Sequence, residues 1–131
     1  MAGDFDGDGK ADPTRAHGDG IWHIWESGNN YARVDLVLYT SLSGTPVAGD
    51  FDGDGKADPA ILDGNGTWHI WKSGDNYARV DLALSSMSGT PVAGDFDGDG
   101  LADPALVISS GDWYIWLSSG NYLQNGPFLF Y

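Results

Sequence analysis

The 131-residue chain has no cysteine, which excludes disulfide staples and thiolate metal sites. It has little positive charge, six Lys and Arg against 19 Asp and Glu, for a formal net charge of −13. Such a surface repels phosphate backbones and anionic lipid headgroups, and argues against nucleic acid as a partner and against membrane insertion. No run approaches the roughly 18 apolar residues of a membrane span, and the first residues show no basic leader followed by an apolar stretch, so no targeting signal is read. No segment sustains a 3.6-residue apolar period, which removes a helical solenoid. What the chain does have is 20 glycines and six tryptophans, the mixture expected of short aromatic-rich strands separated by tight turns, in one all-β domain.

The acidic charge is gathered rather than spread. Twelve of the 19 acidic residues stand in three clusters of four: Asp4, Asp6, Asp8, Asp12; Asp50, Asp52, Asp54, Asp58; and Asp95, Asp97, Asp99, Asp103. Each cluster lies in a repeat. Gly-Asp-Phe-Asp-Gly-Asp-Gly-Lys-Ala-Asp-Pro starts at Gly3 and again at Gly49, and a version with leucine for lysine starts at Gly94, at spacings of 46 and 45 residues. The odd residue falls between Tyr39 and Gly44. Eighteen residues after the first aspartate of each cluster comes Trp-His-Ile-Trp at Trp22 and Trp68, or Trp-Tyr-Ile-Trp at Trp113, followed by a Ser-Gly/Asn turn and Tyr31, Tyr77 or Tyr122.

The middle copy divides into four strands, at 46–52, 57–63, 67–73 and 78–85, separated by glycine and asparagine turns. Four strands in about 45 residues are the unit of a β-propeller blade. The chain therefore reads as 1–131, a single domain of three four-stranded antiparallel blades at about 1–43, 44–88 and 89–131. Alternation along the third strand puts Trp68 and Ile70 on one face and His69 and Trp71 on the other, so both faces are expected to pack against neighbouring blades.

Carboxylates at alternate positions of a sharply turning loop suit Ca²⁺, a hard cation wanting six to eight oxygen ligands. The predicted ligands are Asp4, Asp6, Asp8, Asp12 and the carbonyl of Lys10; Asp50, Asp52, Asp54, Asp58 and the carbonyl of Lys56; and Asp95, Asp97, Asp99, Asp103 and the carbonyl of Leu101. Gly9, Gly55 and Gly100 permit the turn. Three ions per chain would lower the formal charge from −13 to −7. An EF-hand closes with glutamate at position 12, where this chain has Arg15, Ile61 and Leu106.

The closing aspartate at position 9 instead resembles the calcium loops of integrin-α-like propeller repeats, the FG-GAP or VCBS family, and the likeness covers essentially the whole chain. It departs from that family where Thr-Pro-Val-Ala-Gly-Asp-Phe stands at 45–51 and 90–96 in place of the Phe-Gly-Gly-Ala-Pro signature. The identical loops point to calcium as a staple for each blade.

No catalytic constellation emerges around His17, His23 and His69, since His23 and His69 share a repeat position that Tyr114 fills in the third copy, and no enzyme activity is expected. A recognition or adhesion module is expected, with carbohydrate the favoured ligand: Trp25, Tyr31, Trp71, Tyr77, Trp116 and Tyr122 could stack on sugar rings while turn residues bond hydroxyls. The same aromatics also suit a blade-to-blade core, which fits a scaffold without a small ligand, natural fragment or engineered repeat. Three blades fall short of the four to eight of a ring, so pairing of two copies into six blades is expected. Loops needing millimolar calcium suggest an extracellular or cell-surface setting.

Overall fold

A computed structural model describes residues 1–38 and 42–129. It contains twelve strands in three four-stranded antiparallel sheets, each built from strands consecutive in the chain. The first sheet comprises β1 (Ala2–Gly3), β2 (Asp12–Ala16), β3 (Ile21–Glu26) and β4 (Ala32–Val37). The second comprises β5 (Thr45–Gly49), β6 (Asp58–Leu62), β7 (Thr67–Lys72) and β8 (Ala78–Ala83). The third comprises β9 (Thr90–Gly94), β10 (Asp103–Val107), β11 (Asp112–Leu117) and β12 (Leu123–Leu129). The one-residue length difference placed between Tyr39 and Gly44 falls largely on 39–41, and the apolar end at 127–131 partly on 130–131, both outside the described residues. Among the described residues no helix is long and apolar enough to cross a membrane.

Sequence alternation becomes packing as expected. Trp68 and Ile70 of β7 face the third sheet, sharing a buried cluster with Phe51, Ala60, Ala102, Leu106 and Trp116. On its other face β7 turns Trp71 toward the first sheet, where it joins Ile61, Ala57, Phe5, Trp22 and Ile24. Every sheet thus has a forward face carrying a Phe, a Trp and an Ile, and a rear face carrying an Ala, the second Trp and, between them, Ile61 in the second sheet, Leu106 in the third and Arg15 in the first. Trp22, Trp68 and Trp116 are all at most 2% exposed. Each buried ring of that size contributes several kcal/mol by the usual cost of about 3–5 kcal/mol for its truncation.

The strands are shorter than the sequence pattern implies. β5 stops at Gly49 rather than running to residue 52, because the Asp50 carboxylate captures the N–H groups of Gly53, Asp54 and Gly55 and pulls the chain out of the ladder.

The inner strands of adjacent sheets come close together, β1 beside β5 and β5 beside β9. Glycine makes this possible. A Cβ placed on Gly49 would lie 2.9 Å from the Ala93 Cβ and 3.0 Å from the Ala102 Cβ, and one on Gly3 would lie 2.8 Å from the Ala57 Cβ. Gly49→Ala is therefore expected to overpack the second junction and cost about 1–3 kcal/mol in urea unfolding. A value within experimental error of zero would show that the sheets separate easily.

Candidate functional site

Each acidic segment forms one loop between the first two strands of its sheet. Gly9, Gly55 and Gly100 adopt φ of 88°, 89° and 89°, a left-handed conformation that fits glycine at position 6. The first aspartate organises the turn: Asp4 Oδ1 accepts from the Gly7 and Asp8 amides and Oδ2 from Gly9. Asp50 and Asp95 repeat the pattern with the same partners one and two copies on. The amides of Lys10, Lys56 and Leu101 donate to Asp8, Asp54 and Asp99.

The ninth-position aspartates do something different. Asp12, Asp58 and Asp103 are fully buried at the head of β2, β6 and β10. Asp58 Oδ2 accepts from the Phe51 amide at 2.7 Å and the Asp52 amide at 3.2 Å, while Oδ1 accepts from the Ser73 amide at 2.8 Å and its hydroxyl at 2.7 Å. One carboxylate therefore pins the start of the loop to the turn after β7. Burial pushes the Asp58 carboxyl above the usual carboxylate range, against the pull of the Ser73 and Phe51 bonds and with Asp52 adding like charge. At Asp12 burial acts the same way but is outweighed by bonds from Ser27, Phe5 and Asp6, and the carboxyl sits below its ordinary value. The middle loop has a sheet on either side and is the more desolvated.

Carboxylate oxygens of Asp4, Asp6 and Asp8 lie within 4.8 Å of one another, as do those of Asp95, Asp97 and Asp99; in the middle loop the trio is Asp50, Asp52 and Asp58. Oxygens bound at 2.3–2.6 Å to one ion are separated by no more than about 5 Å, so each trio fits one Ca²⁺. The donor set fits as well, being hard oxygen throughout. The structure brings positions 1, 3 and 5 together in the outer loops, with position 9 a buried neighbour that holds the backbone.

Ser27, Ser73 and Ser118 were not singled out from the sequence as part of these loops. Ser118 Oγ donates to Asp99 at 3.1 Å and Asp103 at 2.9 Å, and Ser119 Oγ bonds Asp97. The turns after each Trp-x-Ile-Trp segment, expected to offer hydroxyls to a ligand, are thus engaged with the acidic loops. Their signal was the serine recurring at one repeat position beside the second tryptophan.

The aromatic candidates separate by neighbourhood. Trp71 and Trp116 are 3% and 2% exposed, packed between sheets, so they serve the core rather than a solvent-facing groove. Tyr77 and Tyr122 are half-buried against the same two clusters. Burial, with nearby Asp58 and Asp54 for Tyr77 and Asp103 and Asp99 for Tyr122, pushes both hydroxyls up. Trp25 is half-buried and Tyr31 exposed, since their face has no sheet against it among the described residues.

A second cluster was also missed. His69 is nearly buried between Asp63, 2.9 Å from Nε2, and Asp81, 2.8 Å from Nδ1, with Arg79 3.1 Å from Asp81. His23, Asp35 and Arg33 repeat it in the first sheet. The His69–Asp81 and His23–Asp35 pairs are cross-strand partners set by the β7–β8 and β3–β4 registers, and a repeated Ala-Arg-Val-Asp-Leu was the trace of their carboxylates in the sequence. Two small clefts open between sheets at the ends away from the acidic loops. One, of about 210 Å³, is lined by Thr45, Asp63, Met87, Ser88 and glycines; the other, of about 130 Å³, includes His17, Ser43 and Pro46.

No curated protein and no solved structure matches the chain. Residues 50–104, from the second acidic loop through the third, match the family model described as FG-GAP-like repeat, a similarity consistent with the FG-GAP/VCBS repeat family.

Proposed function

We propose that the chain is a calcium-stapled, non-catalytic propeller module whose repeated sheets form a recognition or scaffold surface. The observation that carries this reading is the build of each loop: a fully buried ninth aspartate fixes the backbone, and three carboxylates, Asp58 among them in the middle loop, are held within 4.8 Å. An ion bound there ties the loop between the first two strands of each sheet to itself. Like charges that would otherwise repel become ligands. The histidines of the repeat are held by carboxylates across strands, an arrangement that suits structure better than proton transfer to a substrate. Such loops, if they bind at the affinity of extracellular calcium modules, belong outside the cell. Isothermal titration of calcium into chelator-treated protein is the direct test, with a stoichiometry near three expected and no heat sinking the proposal.

Carbohydrate recognition is the second reading, favoured by the clefts repeated between sheets and lined by Asp63, Thr45 and Ser88. These offer hydroxyl and carboxylate partners to a sugar, but of the rings expected to stack on it Trp71 and Trp116 lie in the core. A glycan array probed in calcium is expected to bind weakly if at all. Binding lost in Asp63→Ala would place it at the cleft, and a blank array leaves the scaffold role.

A further inference from the structure

We propose that the forward face of the third sheet docks on the rear face of the first sheet in a second copy, so that two chains close head to tail into a six-bladed ring. The proposal stands on the two junctions already inside the chain and does not depend on which ion the loops hold. At the first junction the Ala57 amide donates to the Asp4 carbonyl at 2.6 Å, and at the second the Ala102 amide donates to the Asp50 carbonyl at 2.7 Å. Phe5 and Phe51, on the forward faces, are 6% and 3% exposed, and Ala57 and Ala102, on the rear faces, are 6% and 5% exposed. The side chain at position 7 of each loop covers the preceding loop: Lys56 Cγ lies 3.3 Å from a Cβ placed on Gly7, and Leu101 Cδ2 lies 2.8 Å from one placed on Gly53.

The third sheet offers the forward, hydrogen-bond-accepting half of this junction again. Phe96 is 43% exposed, and no backbone bond among the described residues reaches the Asp95 carbonyl. A Cβ on Gly94 would meet only the ring of its own Phe96, at 3.4 Å or more, and one on Gly98 would meet nothing within 4 Å. The first sheet offers the rear, hydrogen-bond-donating half. Ala11, which corresponds to Ala57 and Ala102, is exposed, as are Ala2, the counterpart of Ala48 and Ala93, and Lys10, the counterpart of Lys56 and Leu101. No described backbone bond leaves the Ala11 amide.

The complementary halves are therefore present in one register. The Ala11 amide meets the Asp95 carbonyl, the methyls of Ala2 and Ala11 meet Gly94, and Lys10 lies over Gly98 within an acidic loop whose charge it opposes. Arg15 stands where Ile61 and Leu106 stand inside the chain. Its stem covers the same apolar surface, and its guanidinium can stack on the aromatic face that Phe96 shares with Trp113. A contact between unlike faces either closes or propagates. Two copies give six blades, within the range of about four to eight that rings adopt.

Light scattering on the calcium-loaded chain across a dilution series tests this. Twice the 13.9 kDa chain mass is expected. Gly94→Ala, whose Cβ would stand at ordinary contact distance from its own Phe96 ring but would crowd Ala2 and Ala11 across the junction as one at Gly49 crowds Ala93 and Ala102, is expected to give monomers, and so is Ala11→Glu at the opposite edge, both with unchanged circular dichroism. Mixing the two variants leaves one unaltered junction per pair and restores the doubled mass. A wild-type monomer, an open polymer, a dimer that survives either substitution, or a mixture that stays monomeric would each overturn the proposal. A dimer that survives one substitution and not the other would indicate pairing through like faces.

Discussion

Withdrawing calcium is expected to lower the melting temperature by tens of degrees, and at physiological temperature to unfold much of the population. The expectation follows from linkage. Each loop filled at a hundredfold excess over its dissociation constant adds about 2.7 kcal/mol, so three loops add about 8 kcal/mol. That is of the order of a whole domain's stability, about 5–15 kcal/mol. Without the ion the oxygens of Asp4, Asp6 and Asp8, held within 4.8 Å, repel one another across the loop. Thermal melts followed by circular dichroism in millimolar calcium and in chelator measure the shift. Magnesium, which demands a tighter octahedral cage and keeps its waters, should restore only a small part of it. Coincident melts with and without chelator would remove the stapling role.

The second large effect belongs to Asp58→Asn. Its carboxylate accepts four hydrogen bonds from Phe51, Asp52 and Ser73 and is fully buried, so every donor around it points inward. An asparagine of the same shape must aim its own N–H groups at two of those donors, with no water to relieve the clash. Loss of about 3 kcal/mol is expected, from a buried donor left without an acceptor and the weakening of charge-assisted bonds. At roughly 4 °C per kcal/mol for a chain of this size the melting temperature falls by about 12 °C. The fall should persist in chelator, because the pin acts on backbone amides whether or not an ion is present. Asp8→Asn, at the exposed position of the first loop's trio, should weaken the protein in calcium and change little without it. If both variants lose stability only in calcium, the ninth aspartate is a ligand and no more.

Much of the loop was legible in the sequence because its geometry is local. Alternate aspartates and a glycine at position 6 act within ten residues, and the positive φ of Gly55 follows from that short stretch alone. The two-faced strands were legible for the same reason, since alternation at Trp68 to Trp71 is a property of the strand itself. The Ser73 contact was not, because it joins residues 15 apart through the pairing of β6 with β7. Nor could the sequence separate Trp25 from Trp71. They occupy one repeat position with nearly identical flanks, yet one is half-buried and the other is sealed in a core, and the difference lies in which sheet stands beside them. Environment supplied by a neighbour leaves no mark in a residue's own segment.

The splitting of every junction between a forward face and a rear face bears on how such a chain changes length. Each 45- or 46-residue unit carries both halves, Phe51 with Trp68 on one side and Ala57 with Trp71 on the other. Copying a unit therefore creates its own docking partner, and deleting one rejoins two surfaces that already match. Genetic duplication here requires no new complementary mutations.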